Sequence, residues 1–417
     1  MNIAAIKPVA SSRYASLDGL RGIFLIFMLI VHLNEQFKTV IGKLNHHYFG
    51  WVEDAQGFVF ISGLVVGLVY GSILLEKGDA HMVRALVKRC KTIFFYQASL
   101  ILLLAFTVVI FGNSIDSHNL SNFKQNVAAY TLIALTMISV PTNMGILPMY
   151  LAFMAATPFV LRQFKQGNFI LVLTVSVLLW CFSQTGLTGI VCENIEHLVL
   201  KTFNFDLSIG IFFNLFAWQV VYFLGLFFGY KVADKSIDLS FFSTHAGYQI
   251  FIACVVAFIL FGIFDRVVFN DLVSPKFSEI FIAQNRRPLF TPVYLVNFLV
   301  DLYIVAWLLI VGRNKSGTII GHIGRIMHWS ANWKPLVFLG QHSLQVFAFH
   351  IVVQYALFIA LDDQSAGEIR GSLIILAGVL SLFIPAYLHA QYIRFKSVKH
   401  VAKLPQVPRV RAKDGAS

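Results

Sequence analysis

Apolar runs long enough to cross the roughly 30 Å hydrocarbon layer of a bilayer recur ten times along the chain. They fall near residues 19–37, 53–75, 93–112, 144–161, 169–183, 210–230, 247–264, 292–312, 335–360 and 371–393. The pattern predicts an all-α integral membrane bundle of about ten transmembrane helices. No Gly/Ser linker, composition shift or repeat divides it, so residues 1–396 read as one transmembrane domain. An eleventh apolar segment, 127–140, is short and semi-polar and reads as a re-entrant or interfacial helix. The stretches 112–125, 184–208 and 265–291 read as the longest loops on one side. They carry Asp116, Glu193, Glu196, Asp206, Asp265, Asp271, Arg286 and Arg287, most of which are expected to be solvated surface. From about residue 397 the chain turns basic, with Pro405 and Pro408, and reads as a disordered tail.

Composition strengthens the membrane reading. Of 417 residues 58% are hydrophobic and only 12% charged, with 41 Phe, a profile outside soluble globular usage. Charge then orients the bundle. With the N-terminus cytoplasmic, 23 of the 32 Lys and Arg residues fall on the cytoplasmic side, as the positive-inside rule requires. An even number of spans puts the C-terminus there too. The net charge of +12 therefore calls for no nucleic-acid partner: Arg84, Lys88, Arg89, Lys91 and the basic stretch from Arg394 to Lys413 lie where anionic headgroups of the lipid bilayer attract them. Cys90, Cys181, Cys192 and Cys254 show neither pairing nor metal spacing and read as structural. No bundle of Cys, His and carboxylates suggests a metal. The first apolar run is too long for a signal-peptide core and lacks a small-residue cleavage site, so it is expected to stay as an anchor.

Two ionisable side chains interrupt that first run, Arg21 and His32. Eleven helical steps set them about 16 Å apart and about 20° off one face, so they address one interior at two depths. An Arg and a His in one span mark a candidate functional site; the bland alternative is an interfacial Arg and a buried, hydrogen-bonded His. Asp18, three residues before Arg21, either caps the helix or pairs with the guanidinium. Glu53 and Asp54 stand at the outer end of the second span, and Ser62 and Gly63 near its middle. Packing is the default role of Gly57, Ser62, Gly63 and Gly67, with hydrogen bonding to a site residue the second possibility for Ser62. Further polar interruptions occur at Trp218, Gln219, His342, Ser343, Gln345, His350, His389 and Gln391. In a bundle many of these would satisfy one another; His350, wholly inside an apolar stretch, stands out.

These residues resemble a family. Arg-x10-His on the first span, preceded by Leu17-Asp18-Gly19-Leu20-Arg21-Gly22 and followed by Phe58-Val59-Phe60-Ile61-Ser62-Gly63, is similar to the membrane acyltransferase-3 superfamily. More narrowly, the chain resembles the OpgC branch. The residues concerned are Ile146-Leu147-Pro148-Met149-Tyr150, Asn214-Leu215-Phe216-Ala217-Trp218-Gln219 with Leu224-Gly225, and Leu339-Gly340-Gln341-His342-Ser343-Leu344-Gln345-Val346-Phe347 ending at His350. The resemblance spans residues 13 to about 395. It implies a bacterial inner-membrane enzyme that transfers succinyl groups to osmoregulated periplasmic glucan, with relatives that O-acetylate surface polysaccharides. Position by position, it implies His32 as the catalytic residue and Arg21 as its basic partner, with Ser62, Gly63 and Arg89 in supporting roles. One position departs: the resemblance expects an acid about six residues before Ser62, where this chain has Gln56, with Glu53 and Asp54 nearby.

The implied chemistry is coherent. Removing a proton from a sugar hydroxyl needs a base, and a neutral imidazole suits that task. No bound cofactor is expected; acyl-CoA, as succinyl-CoA or acetyl-CoA, is the co-substrate. Its phosphates would meet Arg21 and neighbouring cations from the cytoplasm while the thioester reaches His32, and the glucan or another envelope polysaccharide would approach from outside. The competing readings are an O-acetyltransferase of surface polysaccharide, a transporter, and a catalytically silent partner of an envelope-glycan machine.

Overall fold

A computed structural model describes residues 15–43, 50–112, 120–203, 205, 209–210, 212–270, 272–361 and 367–402. Asp116, Asp206, Asp271 and residues 403–417 lie outside the described residues. The elements in order are α1 (Ala15–Phe37), α2 (Val40–Lys43), α3 (Asp54–Lys77), α4 (Asp79–Phe111), α5 (Ser121–Gln125), α6 (Val127–Leu135), α7 (Ile146–Lys165), α8 (Phe169–Ser183) and α9 (Leu187–Phe203). The second half holds α10 (Leu215–Ala233), α11 (His245–Phe269), α12 (Pro275–Gln284), α13 (Pro292–Ile310), α14 (Ile319–Ala331), α15 (Lys334–Gln341), α16 (Ser343–Ala360), α17 (Glu368–Ser381) and α18 (Phe383–Ala402). No strand forms among the described residues. Nine segments are long and apolar enough to cross a membrane, or ten if α8 and α9, bent by 56°, form one span. The all-α membrane bundle expected from the hydrophobic pattern is therefore what the chain builds.

Helix starts follow local chemistry. Asn214 caps α10, accepting from the Ala217 amide at 3.2 Å, and Thr244 caps α11 through the Gly247 amide at 3.0 Å. Each side-chain oxygen satisfies one of the amides a helix leaves without an internal partner. Close approach between spans is made by glycine. A Cβ on Gly63 or Gly67 of α3 would overlap the Tyr222 or Leu226 carbonyl of α10. The reverse holds for Gly225 and Gly229, against the Phe60 and Leu64 carbonyls. Small residues let backbones touch in a medium with no hydrophobic drive between helices. α3 is thereby locked between α10 and α1.

Three local expectations need correction. The stretch 184–208 is not a loop over 187–203: α9 runs through Glu193, Glu196 and Lys201 as the bent continuation of α8. The stretch 265–291 is not a loop throughout, since it contains the end of α11 and all of α12. The run 335–360 is broken at His342, between α15 and α16. The run 371–393 is carried by α17 and α18, which together form one candidate span, Glu368–Lys396, with a local interruption at Leu382, where Pro385 supplies no amide and its ring crowds the carbonyl four residues back. The short segment at 127–140 forms a nine-residue helix, α6, about 14 Å long at helical rise and so too short to cross. α4 extends well before residue 93: its 33 residues reach about 50 Å, and Arg84, Lys88, Arg89 and Lys91 ride on a helix.

Candidate active site

The pattern Asp18-Gly19-Leu20-Arg21-Gly22 acquires a packing reason. A Cβ on Gly19 would overlap the Ala331 carbonyl of α14, and one on Gly22 the Leu336 carbonyl of α15. Gly340 in turn meets the Asp18 carbonyl. α14 and α15 therefore grip the first turns of α1 backbone to backbone and hold Arg21 rigidly. Its guanidinium lies 4.0 Å from Asp18 and 5.7 Å over the Phe58 ring of α3. Gln341 hydrogen-bonds the Asp18 carboxylate. Asp18 thus pairs with Arg21, one of the two roles expected of it. Tyr150 and Arg89 stand within electrostatic reach of Arg21, and the buried Arg21 Nε has no hydrogen-bond partner among the described residues. Two guanidiniums share this region with one close carboxylate, so its local charge is positive.

Deeper along α1, His32 meets His350 of α16. His32 Nδ1 lies 3.1 Å from His350 Nε2, and the rings stack at 5.2 Å with 28° between planes. His350 is fully buried, and its Nδ1 lies 2.8 Å from the Phe347 carbonyl oxygen. That carbonyl can only accept, so His350 Nδ1 carries the proton and Nε2, in a neutral ring, the lone pair. His32 Nδ1 must then donate to it. The basic lone pair of His32 is consequently on Nε2. Phe58 stacks on Phe347 at 6.4 Å and Phe347 meets His350 edge-on at 4.8 Å, so an aromatic path joins the Arg21 region to the histidine pair.

The other expected residues are spread over the bundle. Glu53 is largely buried and its carboxylate accepts from Arg287 Nε at 2.6 Å; Glu35, one turn past His32, also lies within reach of the Arg287 charge. Arg287, expected as solvated surface, instead ties the turn before α13 to the start of α3. Asp54 is buried in the first turn of α3, where a carboxylate favours the helix dipole. Gln56 is fully buried and its amide donates to the Trp51 carbonyl at 3.4 Å. Ser62 is buried, and Gly63 faces α10 rather than the histidines. Trp218 is enclosed by Phe213 at 4.7 Å and Phe290 at 5.0 Å, away from the pair. Arg89 borders Arg21, Tyr150 and His389.

A second histidine pair lies near Arg89. His342 Nδ1 is 2.8 Å from His389 Nδ1, and the Gln345 amide nitrogen stands 3.3 Å from His389 Nε2 and 3.0 Å from the Tyr96 hydroxyl. An acid that the hydropathy reading passed over is Asp301, inside the apolar run 292–312. It accepts from Asn297 Nδ2 at 2.7 Å, while Asn297 Oδ1 accepts from the Trp51 amide at 3.1 Å. A carboxylate in a membrane span was the signal for it. Among the described residues no group of three His, Cys, Asp or Glu could hold a metal, and the four cysteines are free thiols.

A multi-pass helical bundle holding an arginine and an ordered histidine pair within its interior defines a membrane protein that handles polar chemistry inside the bilayer. The family model described as OpgC protein matches residues 13–394, nearly the whole chain, and the chain belongs to the OpgC family. No curated protein and no solved structure matches it. Family membership points to a membrane glucan-modifying acyltransferase.

Proposed function

We propose that this protein transfers an acyl group, succinyl first among them, from acyl-CoA to a hydroxyl of periplasmic glucan, in the bacterial inner membrane with both termini cytoplasmic. The observation that carries the reading is the hydrogen-bond chain from the Phe347 carbonyl through His350 to His32, which leaves a basic Nε2 on His32. In the reaction, His32 Nε2 takes the proton of the acceptor hydroxyl as its oxygen attacks the thioester carbonyl. The tetrahedral intermediate collapses with cleavage of the carbon–sulfur bond, and the proton passes from Nε2 to the departing thiolate. Products are the glucan ester and CoA. While Nε2 holds the proton, Nδ1–H keeps donating to the neutral His350 ring, which stabilises the imidazolium without a permanent counter-charge. The imidazolium is therefore transient, as a base that must return its proton requires.

The two ends of the bundle carry opposite local charge, which supports opposite entry for the two substrates. Around Arg21 lie Arg89 and, on the same helix as Arg89, Lys88 and Lys91, a field suited to the donor's phosphates. Beyond His32 lie Glu35, Glu53, Asp54 and Asp265, against Arg266 and Arg287. That end repels an anionic donor and offers a neutral polyhydroxylated acceptor carboxylates and a guanidinium to hydrogen-bond.

The test is mass spectrometry of periplasmic glucan from a deletion strain complemented with the wild type or with His32→Ala, both checked for membrane expression. Loss of succinyl substituents that only the wild type restores is the expected result. Acetyl loss instead would reassign the donor, and glucan substituted normally in the deletion strain would refute the reading.

A further inference from the structure

The helix α14, in the segment between α13 and α15, belongs to no part of the proposed reaction, yet its faces are sharply sorted. Gly321, Gly324 and Ala331 are buried against the protein: a Cβ on Gly324 would overlap the Arg313 amide region, and Ala331 abuts Gly19 of α1. On the opposite side four large apolar residues are exposed: Ile319 at 82%, Ile323 at 46%, Ile326 at 54% and Trp329 at 62%. Trp333 follows just past the helix end, 47% exposed and stacked on Trp329 at 5.9 Å. Arg325 lies exposed at the edge between these faces, and His322 is exposed within the outward arc itself. Such a helix, apolar on its outward side and cationic along its flank, lies in a membrane interface rather than across it, and indole rings prefer that depth.

Charge narrows the partner. No Asp or Glu occurs anywhere from residue 302 to 361, while Arg313, Lys315, Arg325 and Lys334 are all exposed on or beside α14. Lys315 leans over the Tyr248 ring at 5.2 Å and is the one of the four with a local aromatic partner. We infer that α14 is an in-plane anchor whose occupant is an anionic phospholipid surface, with the Ile/Trp face in the acyl boundary and the four cations at the headgroups. Cations near an anionic leaflet each favour it severalfold. The anchor is mechanically joined to the site. Ser16 of α1 donates to Asn332 Oδ1 at 3.0 Å, and Ala331 packs on Gly19, two residues before Arg21.

The full-length protein is reconstituted in nanodiscs of phosphatidylcholine alone or with about a quarter phosphatidylglycerol. Trp329 and Trp333 are the exposed members of the six tryptophans, so acyl-chain-brominated lipid should quench wild-type fluorescence more than that of a Trp329→Phe/Trp333→Phe variant. Spin-labelled phosphatidylglycerol should be enriched about threefold over labelled phosphatidylcholine at the protein surface. Replacing Arg313, Lys315, Arg325 and Lys334 together by Gln should cut that enrichment by about half, the rest being held by the basic residues of α4 and beyond residue 394, while the bromine quenching persists, which also shows that the variant is folded and inserted. Equal quenching of wild type and the Phe variant would overturn the interfacial placement and make another protein surface the occupant. Enrichment unchanged by the four substitutions would overturn the assignment of these cations.

Discussion

Removing the ring of His350 should damage catalysis by a predictable amount and in a correctable way. In His350→Ala, His32 Nδ1 loses the acceptor 3.1 Å away and with it the contact that assigns the proton to Nδ1. A neutral hydrogen bond contributes about 0.5–1.5 kcal/mol and one to a charged group about 1.5–3 kcal/mol. The same bond is neutral in the resting enzyme and charged when His32 holds the hydroxyl proton, so the transition state loses about 1–2 kcal/mol more than the ground state. At about 1.4 kcal/mol per tenfold, kcat should fall about 5–30-fold. Loss of the base itself in His32→Ala should cost about 10²–10⁴, and the double variant should be no slower than His32→Ala, because His350 acts through His32. Purified protein in nanodiscs, labelled succinyl-CoA and a neutral glucan give kcat and both KM values. His350→Gln sharpens the test: its amide oxygen reaches about as far as Nε2 and can accept from His32, so it should recover much of the rate. An Asn side chain stops short and should not. A folded His350→Ala enzyme with wild-type kcat, or Gln and Asn variants equally impaired, would refute the relay.

Two further outcomes follow from the packing and charge around α1 and α3. Gly63→Leu should reduce the yield of folded protein sharply, since its first side-chain carbon already overlaps the Tyr222 carbonyl; size-exclusion profiles in detergent and thermal unfolding would show it, and a monodisperse variant of wild-type stability would contradict the α3–α10 interface. Arg21→Gln should raise the KM for the anionic donor by about 10–100-fold, the range of about 1.5–3 kcal/mol expected for a lost charge-assisted bond. It should leave the acceptor KM near wild type, with Asp18→Asn in the same chain relieving any folding defect from an isolated carboxylate.

The bundle was legible because a membrane span is long and its apolar composition averages well over twenty residues. The same averaging hides what happens inside a run. Hydropathy passed smoothly over His342 and Leu382, and Pro385 was the one local sign of a break. α9 was missed for the opposite reason: Glu193, Glu196 and Lys201 lower its hydropathy, and a charged helix bent away from its neighbour reads as a loop. At the site, the shared face of Arg21 and His32 follows from helical geometry within one element. The partner of His32 lies 318 positions away; its apolar surroundings set His350 apart from His342, yet nothing local pairs it with His32. Arg287 could not be told from Arg286 in sequence; only the fold brings one of them to Glu53.

The breaks and the histidines belong together. Non-helical backbone at membrane depth persists only where protein or a polar cavity surrounds it, because amides and carbonyls have no other partner in hydrocarbon. α16 begins at such a break and carries His342 at its start and His350 eight residues later, about 12 Å further along. The first histidine pairs with His389 on α18, about two turns past Leu382, and the second pairs with His32. Gln354 follows one turn past His350 on nearly the same face, and its buried Oε1, like Arg21 Nε, has no hydrogen-bond partner among the described residues, whereas Gln345 turns the other way, to Tyr96 and His389. Buried polar groups are satisfied as a rule, so Arg21 Nε and Gln354 Oε1 mark two points inside the bundle at which a polar substrate would find a partner. His32, paired with His350 one turn before Gln354, lies between them. Under the proposed function, a thioester arriving at the Arg21 end and a hydroxyl arriving at the other would meet at His32 without either substrate crossing the bilayer.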